Sequence, residues 1–207
     1  MTAPFFIDAW SFGQEVRQLP EPAPGPLQAG AWYHFQRDAE ATCERLELAG
    51  IPESAIDGVL AEDTRPRFES LGKGNFLLIL RGVNLNQGEQ PDDMLSIRIL
   101  YYDGVLISTR KLPSRAIADI RRELEQGKGP DDLGAVVVDI IEKLHERIED
   151  FVEPFDATIA VAQTAEAAYK ALQDLAQASV GAKLFTIMTV DMAADVARRA
   201  YTSDPVN

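Results

Sequence analysis

The segment LAEDTRPRFESLGKGNFLLILRGVNLN, residues 60–86, joins a charged turn to a long apolar run. Within it, RPRFESL alternates apolar and polar residues, as a half-exposed strand does. NFLLILRGVNL is a continuous apolar run of strand length, which is typical of a strand buried on both faces. LGKGN, between the two, reads as a loop. The segment therefore predicts two consecutive strands.

Further strands are predicted on both sides of this segment. MLSIRILYY and GVLISTRK follow it and flank the pair Asp103-Gly104, which is a strong hairpin signal. PFFIDAW and AWYHF precede it, and a loop rich in proline and glycine, residues 20–30, separates these two. The first two-thirds of the chain are therefore expected to build a sheet.

Helical patterns interrupt and then follow these strands. Asp38 is predicted to be the N-cap of a helix over AEATCERLELA, with Gly50 as its stop, and a second short helix is expected after Pro52. After Pro113, SRAIADIRRELEQG carries apolar residues at helical spacing and ends at Gly127. Strands and helices in this order predict an α+β or α/β/α domain.

A much longer helical pattern begins after Asp131 and looks like a stalk. Pro154 is expected either to kink this helix or to begin a new segment. The chain is thus divided into an α/β unit (residues 1–130), a long stalk-helix region (131–180) and a tail of unassigned structure (181–207). Apolar residues recur at every fourth position of the stalk pattern: Ile140, Leu144, Ile148 and Val152.

The composition narrows the class of partner. The chain has 207 residues, is 46% hydrophobic and carries a formal net charge of −13. This charge argues against nucleic acid and anionic membrane surfaces as partners. It permits cations as partners, and the alternative is that it serves solubility alone. No uncharged apolar window of about 18 residues is present, so the chain as written is expected to be soluble. Cys43 is the only cysteine, so no internal disulfide is possible.

The sequence does not support an enzyme. A cysteine nucleophile would need Cys43 beside His34 or His145, but Cys43 lies within a predicted helix and is interpreted as a structural thiol. No G-x-S-x-G motif occurs, and LGKGN lacks the spacing of a phosphate-binding loop.

Carboxylates around one histidine are the candidate metal ligands. His145 lies among glutamates on the stalk helix, and two adjacent aspartates precede that helix. Imidazole and carboxylate groups bind Zn²⁺ and Mg²⁺, and several copies together could hold a partly hydrated ion. A solvated helix face and a helix cap are the alternatives. The candidates are Asp131, Asp132, Glu142, His145, Glu146 and Glu149.

Arginines in or beside the predicted strands have two interpretations. A charge within a strand is costly unless it is paired or lies on an open face. Arg81 and Arg98 are expected to share one face of neighbouring strands and to meet carboxylates from a helix. They form either an anion or interface site, or a paired network that ties the sheet to a helix, and we favour the network. The full set is Arg65, Arg67, Arg81, Arg98 and Arg110.

Six short motifs in this order resemble the cytoplasmic domain of the CorA family of divalent-cation transporters, and its ZntB-like zinc-transporter branch most of all. The resemblance covers about residues 5–165. Each motif is weak alone, but the six at similar spacing are specific. They are WYHF (32–35), EDTRPR (62–67), LRGVNLN (80–86), DMLSIRI (93–99), LISTRK (106–111) and EQGKGP (125–130).

The resemblance implies an α/β/α sandwich around a mixed sheet, with the long helix leading towards a pore. It implies a homo-oligomer, a pentamer in full-length members, at the cytoplasmic face of the inner membrane, with Zn²⁺ or Mg²⁺ as partner. The domain would act as a cation funnel and gate. The family's two membrane helices and its G-M-N-like motif do not occur in this sequence. The alternative function is a free-standing soluble regulatory or interaction module that kept the fold and lost the pore. Three explanations of the missing segments stay open: an excised domain, a truncated or frame-shifted relative, or a free-standing soluble protein.

Overall fold

Seven strands form one mixed sheet. The computed structural model describes residues 4–62, 65–84, 86, 94–161, 164–180, 186–191 and 196–202. The spatial order is β2-β1-β3-β7-β6-β5-β4. The β3–β7 pair is parallel, and the other neighbours are antiparallel. The strands are β1 (Phe6–Ser11), β2 (Arg17–Gln18), β3 (Ala31–Gln36), β4 (Arg67–Gly72), β5 (Asn75–Gly82), β6 (Leu95–Tyr102) and β7 (Val105–Arg110).

Helices cover both faces of this sheet. α1 (Glu40–Leu48) and α2 (Glu53–Leu60) pack on one face, while α3 (Arg115–Glu125) and α4 (Leu133–Val161) pack on the other. The predicted α/β/α sandwich around a mixed sheet is therefore confirmed. α5 (Ala165–Val180) packs against α4, and β8 (Thr186–Asp191) pairs with β9 (Val196–Thr202) in a separate two-stranded sheet.

The central strands are apolar on both faces because both faces are covered. In β6, Ile97 and Ile99 join the core under α3 and α4, and Leu100 joins the core under α1 and α2. Successive side chains of a strand point to opposite faces, so a strand buried on both sides reads as a continuous apolar run. This explains why the runs in β5 and β6 do not alternate in sequence.

Two tight turns join antiparallel strands, and the one at Asp103-Gly104 is the predicted hairpin turn. Asp103 and Gly104 have φ values of 45° and 81° between β6 and β7. Lys73 and Gly74 have φ values of 52° and 81° between β4 and β5. Positive φ at both central residues is the requirement of a type I′ hairpin turn. The LGKGN segment is therefore a hairpin turn and not a phosphate-binding loop.

The predicted N-cap of α1 is wrong. α1 begins at Glu40 after Ala39, and the Asp38 carboxylate instead accepts a hydrogen bond from Gln36 Nε2 at 2.6 Å. The reason is that the main chain of Arg37 still follows the sheet, because its N–H donates to Arg110 O at 2.8 Å. A turn is then needed before the helix can start. Gly50, with a φ of 78°, follows the end of α1 as predicted.

The first half of α4 belongs to the core of the domain. Val136, Ile140 and Leu144 are buried against the sheet and α3, whereas Ile148 and Val152 further along the same helix are exposed. The helix continues through Pro154 to Val161. One side of α4 is therefore anchored on the sheet, and its later turns extend away from that core.

Candidate functional site

Arg98, Thr109 and Arg37 donate hydrogen bonds to main-chain carbonyls at the end of α2. Arg98 is fully buried, and its Nη2 donates to Glu62 O at 3.3 Å. Thr109, opposite Arg98 in the sheet, donates from Oγ1 to Val59 O at 3.0 Å. Arg37 Nη1 lies 3.4 Å from Ala61 O. Val59 O is among the last carbonyls of α2, which lack partners within the helix, and Ala61 O and Glu62 O belong to the segment that leaves it. These donors therefore hold the helix terminus and the chain that follows it.

The structural interpretation of the arginines holds in part: Arg98 ties the sheet to the end of α2, and its described acceptor there is a main-chain carbonyl rather than the expected helix carboxylate. Arg81 pairs with Ser96 across β5 and β6, so its side chain lies on the same face as that of Arg98. Its Nη1 donates to Met94 O at 3.4 Å. Arg65 is exposed before β4, Arg67 is exposed on β4, and Arg110 lies on the opposite face of the sheet from Arg98. The five arginines therefore do not converge on one anion site.

The predicted metal ligands lie along one helix and in the turn before it. Asp132 Oδ1 accepts the main-chain N–H of Ala135 at 2.8 Å, so Asp132 is the N-terminal cap of α4. His145 is exposed, and its Nδ1 lies 3.7 Å from Glu149 Oε1, one helical turn further on. Asp131, Glu142 and Glu146 are also exposed.

These candidate ligands do not assemble into a metal site within one copy. Among the described residues, no three histidine, cysteine, aspartate or glutamate side chains lie close enough together to hold a metal ion. His145 and Glu149 supply two neighbouring donors, and zinc sites use at least three protein ligands. The metal role of this set remains a prediction that requires ligands from a second molecule.

The exposed side of α4 combines acidic residues with an apolar stripe. A shallow groove of about 480 Å³ is lined by Ile148 and Val152 together with acids. The acids of this groove are Glu149, Asp150, Glu153 and Asp156. Carboxylates at this density raise the local concentration of cations.

The apolar stripe has the spacing of a helix–helix contact. Val138, Ile141, Ile148 and Val152 are 37–50% exposed. The steps between these four residues are three, seven and four. His145 divides the step of seven, so that the five positions alternate steps of three and four residues. This is the a/d pattern of a coiled-coil seam. An exposed seam of this kind indicates a surface that packs against another helix.

A buried polar cluster on the α3 side of the sheet escaped the sequence analysis. His34 is fully buried, and its Nδ1 lies 2.7 Å from Ser108 Oγ, which also accepts Trp32 Nε1–H at 2.7 Å. Burial, with the charges of Arg110 and Arg121, holds the pKa of His34 well below its usual value. The alternation of AWYHF places Trp32 and His34 on one face, but it does not reveal which groups meet them.

Asp8 completes this cluster and connects it to α3. It lies opposite His34 in the β1–β3 pair and accepts Arg121 Nε–H at 2.5 Å. The carboxylate also accepts hydrogen bonds from Trp10 Nε1 at 3.0 Å and Gln18 Nε2 at 2.9 Å. The ion pair of Asp8 with Arg121 links the sheet to α3, and the buried His34 lies beside Asp8 on the neighbouring strand.

Cys43 is not placed for nucleophilic chemistry. Its side chain packs on the α1–α2 side of the sheet, and His34 lies on the other side. Burial and the neighbouring charge of Glu47 raise the pKa of the thiol. A raised pKa disfavours the thiolate, which is the reactive form.

The described helices also bear on the question of a membrane anchor. None of them combines the length and the apolar composition that crossing a bilayer requires.

Comparisons of the sequence with a family model and with known proteins point to the same family. The family model described as "CorA-like Mg2+ transporter protein" matches residues 28–178. The zinc transport protein ZntB of Vibrio parahaemolyticus is 41% identical over 155 residues, which are 75% of this chain and 49% of that protein. The divalent cation transporter CmaX of Pseudomonas aeruginosa is 35% identical over 175 residues, 81% of this chain and 53% of that protein.

Solved structures agree with these sequence matches. The crystal structure of the ZntB cytoplasmic domain from Vibrio parahaemolyticus has a TM-score of 0.72 and 38% identity, and the match covers 83% of this chain and 73% of that one. The full-length CmaX structure has a TM-score of 0.69 and 33% identity, over 79% of this chain and 52% of that one. The chain thus spans about half the length of the full-length relatives it matches.

The buried histidine makes stability depend on pH. Because the pKa of folded His34 is lowered, the unfolded state takes up the proton first as the pH falls below the ordinary value of 6.5. The contribution of His34 is therefore fully present above pH 6.5 and is lost on acidification. We expect the free energy of unfolding to fall by up to about 1.4 kcal/mol per pH unit between about pH 6.5 and pH 5.

Urea unfolding at a series of pH values checks this expectation. His34→Gln should flatten the dependence over that range. His145→Gln is the matched control, since this histidine is exposed, and it should keep the slope of the original protein. An unchanged slope in His34→Gln would show that His34 is not the group responsible.

Proposed function

Because this chain belongs to the CorA-like family, we propose that it is the cytoplasmic domain of a transporter for divalent cations, Zn²⁺ or Mg²⁺, and acts as its cation funnel and gate. The observation that carries the proposal is the match in fold and sequence to the cytoplasmic domain of ZntB. The proposed location is the cytoplasmic face of the inner membrane, with the transport pore supplied by membrane segments outside this sequence.

The charge distribution supports a role in collecting cations. The net charge of −13 creates a field that attracts divalent ions over some distance. α4 concentrates acids on its exposed side, at Glu142, Glu149 and Asp156 among others. Exposed carboxylates hold hydrated ions weakly, which suits a surface that must release the ions to a pore.

Self-association is the second part of the proposal. The seam of Val138, Ile141, Ile148 and Val152 is unpaired apolar surface on an anchored helix. Packing the α4 helices of several copies side by side would bury this seam and bring the copies of His145 and Glu149 close together. Two or more copies of His145 and Glu149 would then supply the three or more protein ligands that a zinc site requires. We propose a homo-oligomer, in keeping with the pentamer that the family resemblance implies.

Calorimetric titration with Zn²⁺ tests the cation role. We expect measurable binding heat, and we expect His145→Ala to weaken the affinity for Zn²⁺ by at least about tenfold. Removing a residue that only supports a metal ligand already weakens metal affinity by about that factor, and removing the ligand itself should weaken it at least as much. Glu149→Gln should act in the same direction. Glu15→Gln, an exposed acid in the β1–β2 loop, is the control and should leave the titration unchanged. Identical titrations for all four proteins would remove His145 and Glu149 from the proposed site.

Sedimentation equilibrium tests the seam on α4. Ile141→Asp should shift the chain towards monomer, because a charge in an apolar contact must be desolvated without a partner. Leu48→Asp is a matched control, since Leu48 is similarly exposed but lies on α1. Equal self-association of both variants and the original protein would exclude the seam as the contact.

A further inference from the structure

The edge strand β4 presents an unpaired backbone beside an exposed aromatic side chain. β4 ends the sheet, and β5 is its hydrogen-bonded neighbour among the described strands. In an edge strand of an antiparallel pair, half of the N–H and C=O groups point away from the sheet and lack strand partners. Five of the six residues of β4 are exposed. Phe68, with 66% exposure, is the most exposed of the described large hydrophobic residues.

The aromatic side chain of β4 continues a row that crosses the sheet. The ring centroid of Phe68 lies 5.7 Å from that of Phe76 on β5. Phe76 stacks on Tyr101 of β6 at 5.6 Å. Aromatic pairs at these separations stabilise neighbouring strands. The row stops at Phe68, whose outer side faces solvent.

The residues that flank Phe68 carry opposite charges. Arg67 and Glu69 lie on the other face of the strand, and Arg67 Nε is 3.4 Å from Glu69 Oε2. Their side chains are 42% and 50% exposed. Edge strands are usually protected from pairing by charges that repel a second copy. Here a positive residue, Arg67, and a negative residue, Glu69, lie on either side of Phe68. When two copies of this strand pair antiparallel, each positive residue can lie opposite a negative one.

We propose that β4 pairs antiparallel with β4 of a second copy of this chain, with the two Phe68 residues opposite each other. In this register Arg67 of each copy lies opposite Glu69 of the other, so two attractive pairs form. The aromatic rows of the two sheets join at the pair of Phe68 side chains. The contact is isologous and closes with two copies.

The charges also select this register over its neighbours. Centring the pair on Arg67 would put two arginines opposite each other, and centring it on Glu69 would put two glutamates opposite each other. Like charges directly opposite in a sheet are destabilising. The sequence Arg67-Phe68-Glu69 thus fits a second copy of itself in one arrangement, which is the reason for choosing this occupant.

This contact goes beyond the proposed function and does not depend on it. It uses the edge of the sheet, whereas the proposed homo-oligomer uses the α4 seam. An association through β4 joins two copies only. It does not require the α4 seam, so it can form whether the seam is buried or exposed. The two contacts can therefore be tested separately in one chain.

Charge reversal measured by sedimentation equilibrium tests the β4 contact. The Ile141→Asp background keeps the α4 seam from contributing. In this background Arg67→Glu and Glu69→Arg should each weaken dimerisation by about tenfold or more, because two attractive pairs become repulsive. Combining Arg67→Glu with Glu69→Arg should restore it, since the charges only exchange places. Lys73→Glu, with the same charge change in the turn after β4, should have no effect.

Cysteine cross-linking provides a second readout of the register. In a Cys43→Ser background, Phe68→Cys should give a disulfide-linked dimer on mild oxidation, because directly opposite residues lie within disulfide reach. Ser70→Cys should give little, since residue 70 would lie opposite residue 66. A chain that stays monomeric at the highest soluble concentration would overturn the proposal. The proposal would also be overturned if Arg67→Glu did not weaken the dimer, or if the double charge reversal did not restore dimerisation. Equal cross-linking at positions 68 and 70 would overturn it as well.

Discussion

A fully buried arginine in the middle of the sheet is the constraint on which the other parts of the domain depend. Arg98 needs hydrogen-bond acceptors, since an unpaired buried charge costs several kcal/mol. Glu62, directly after α2, supplies one of them through its main-chain carbonyl. A shift of β6 by one residue would turn Arg98 into the apolar core under α3 and α4. The need to keep Arg98 beneath α2 therefore helps to fix the register of the sheet.

The fixed sheet in turn orients the surface that would meet cations. The ion pair of Arg121 with Asp8 holds α3 on the sheet, and Lys143 Nζ of α4 lies 2.8 Å from Glu123 Oε1 of α3. Arg147 of α4 also pairs with Asp119 of α3. Because α4 is attached through these ion pairs and its buried stripe, its acids and exposed seam point away from the core in a defined direction.

The local pattern predicted six strands of the large sheet, the hairpin turn at Asp103-Gly104 and the helices, because these follow from apolar runs, helical spacing and glycine at positive φ. It did not predict β2, β8 or β9. It failed at Asp38, because the sheet extends one residue further than the cap pattern suggests. It could not separate Ile140 and Leu144, which are buried, from Ile148 and Val152, which are exposed, since all four fit one stripe. The cluster of His34 and Asp8 depends on strand order, which a local pattern does not contain. The metal ligands stay a prediction, because a shared site depends on the arrangement of several copies.

We propose that this domain serves a transporter of divalent cations, and this role can be measured in a chimera. The most direct measurement joins residues 1–161 to the membrane part of Vibrio parahaemolyticus ZntB and follows zinc uptake into vesicles that contain the purified chimera. We expect the chimera to take up zinc, and we expect slower uptake when Glu142 and Glu149 are replaced by glutamine. A chimera that assembles in the membrane but carries no zinc, or one whose uptake is unaffected by the glutamine substitutions, would contradict the proposal.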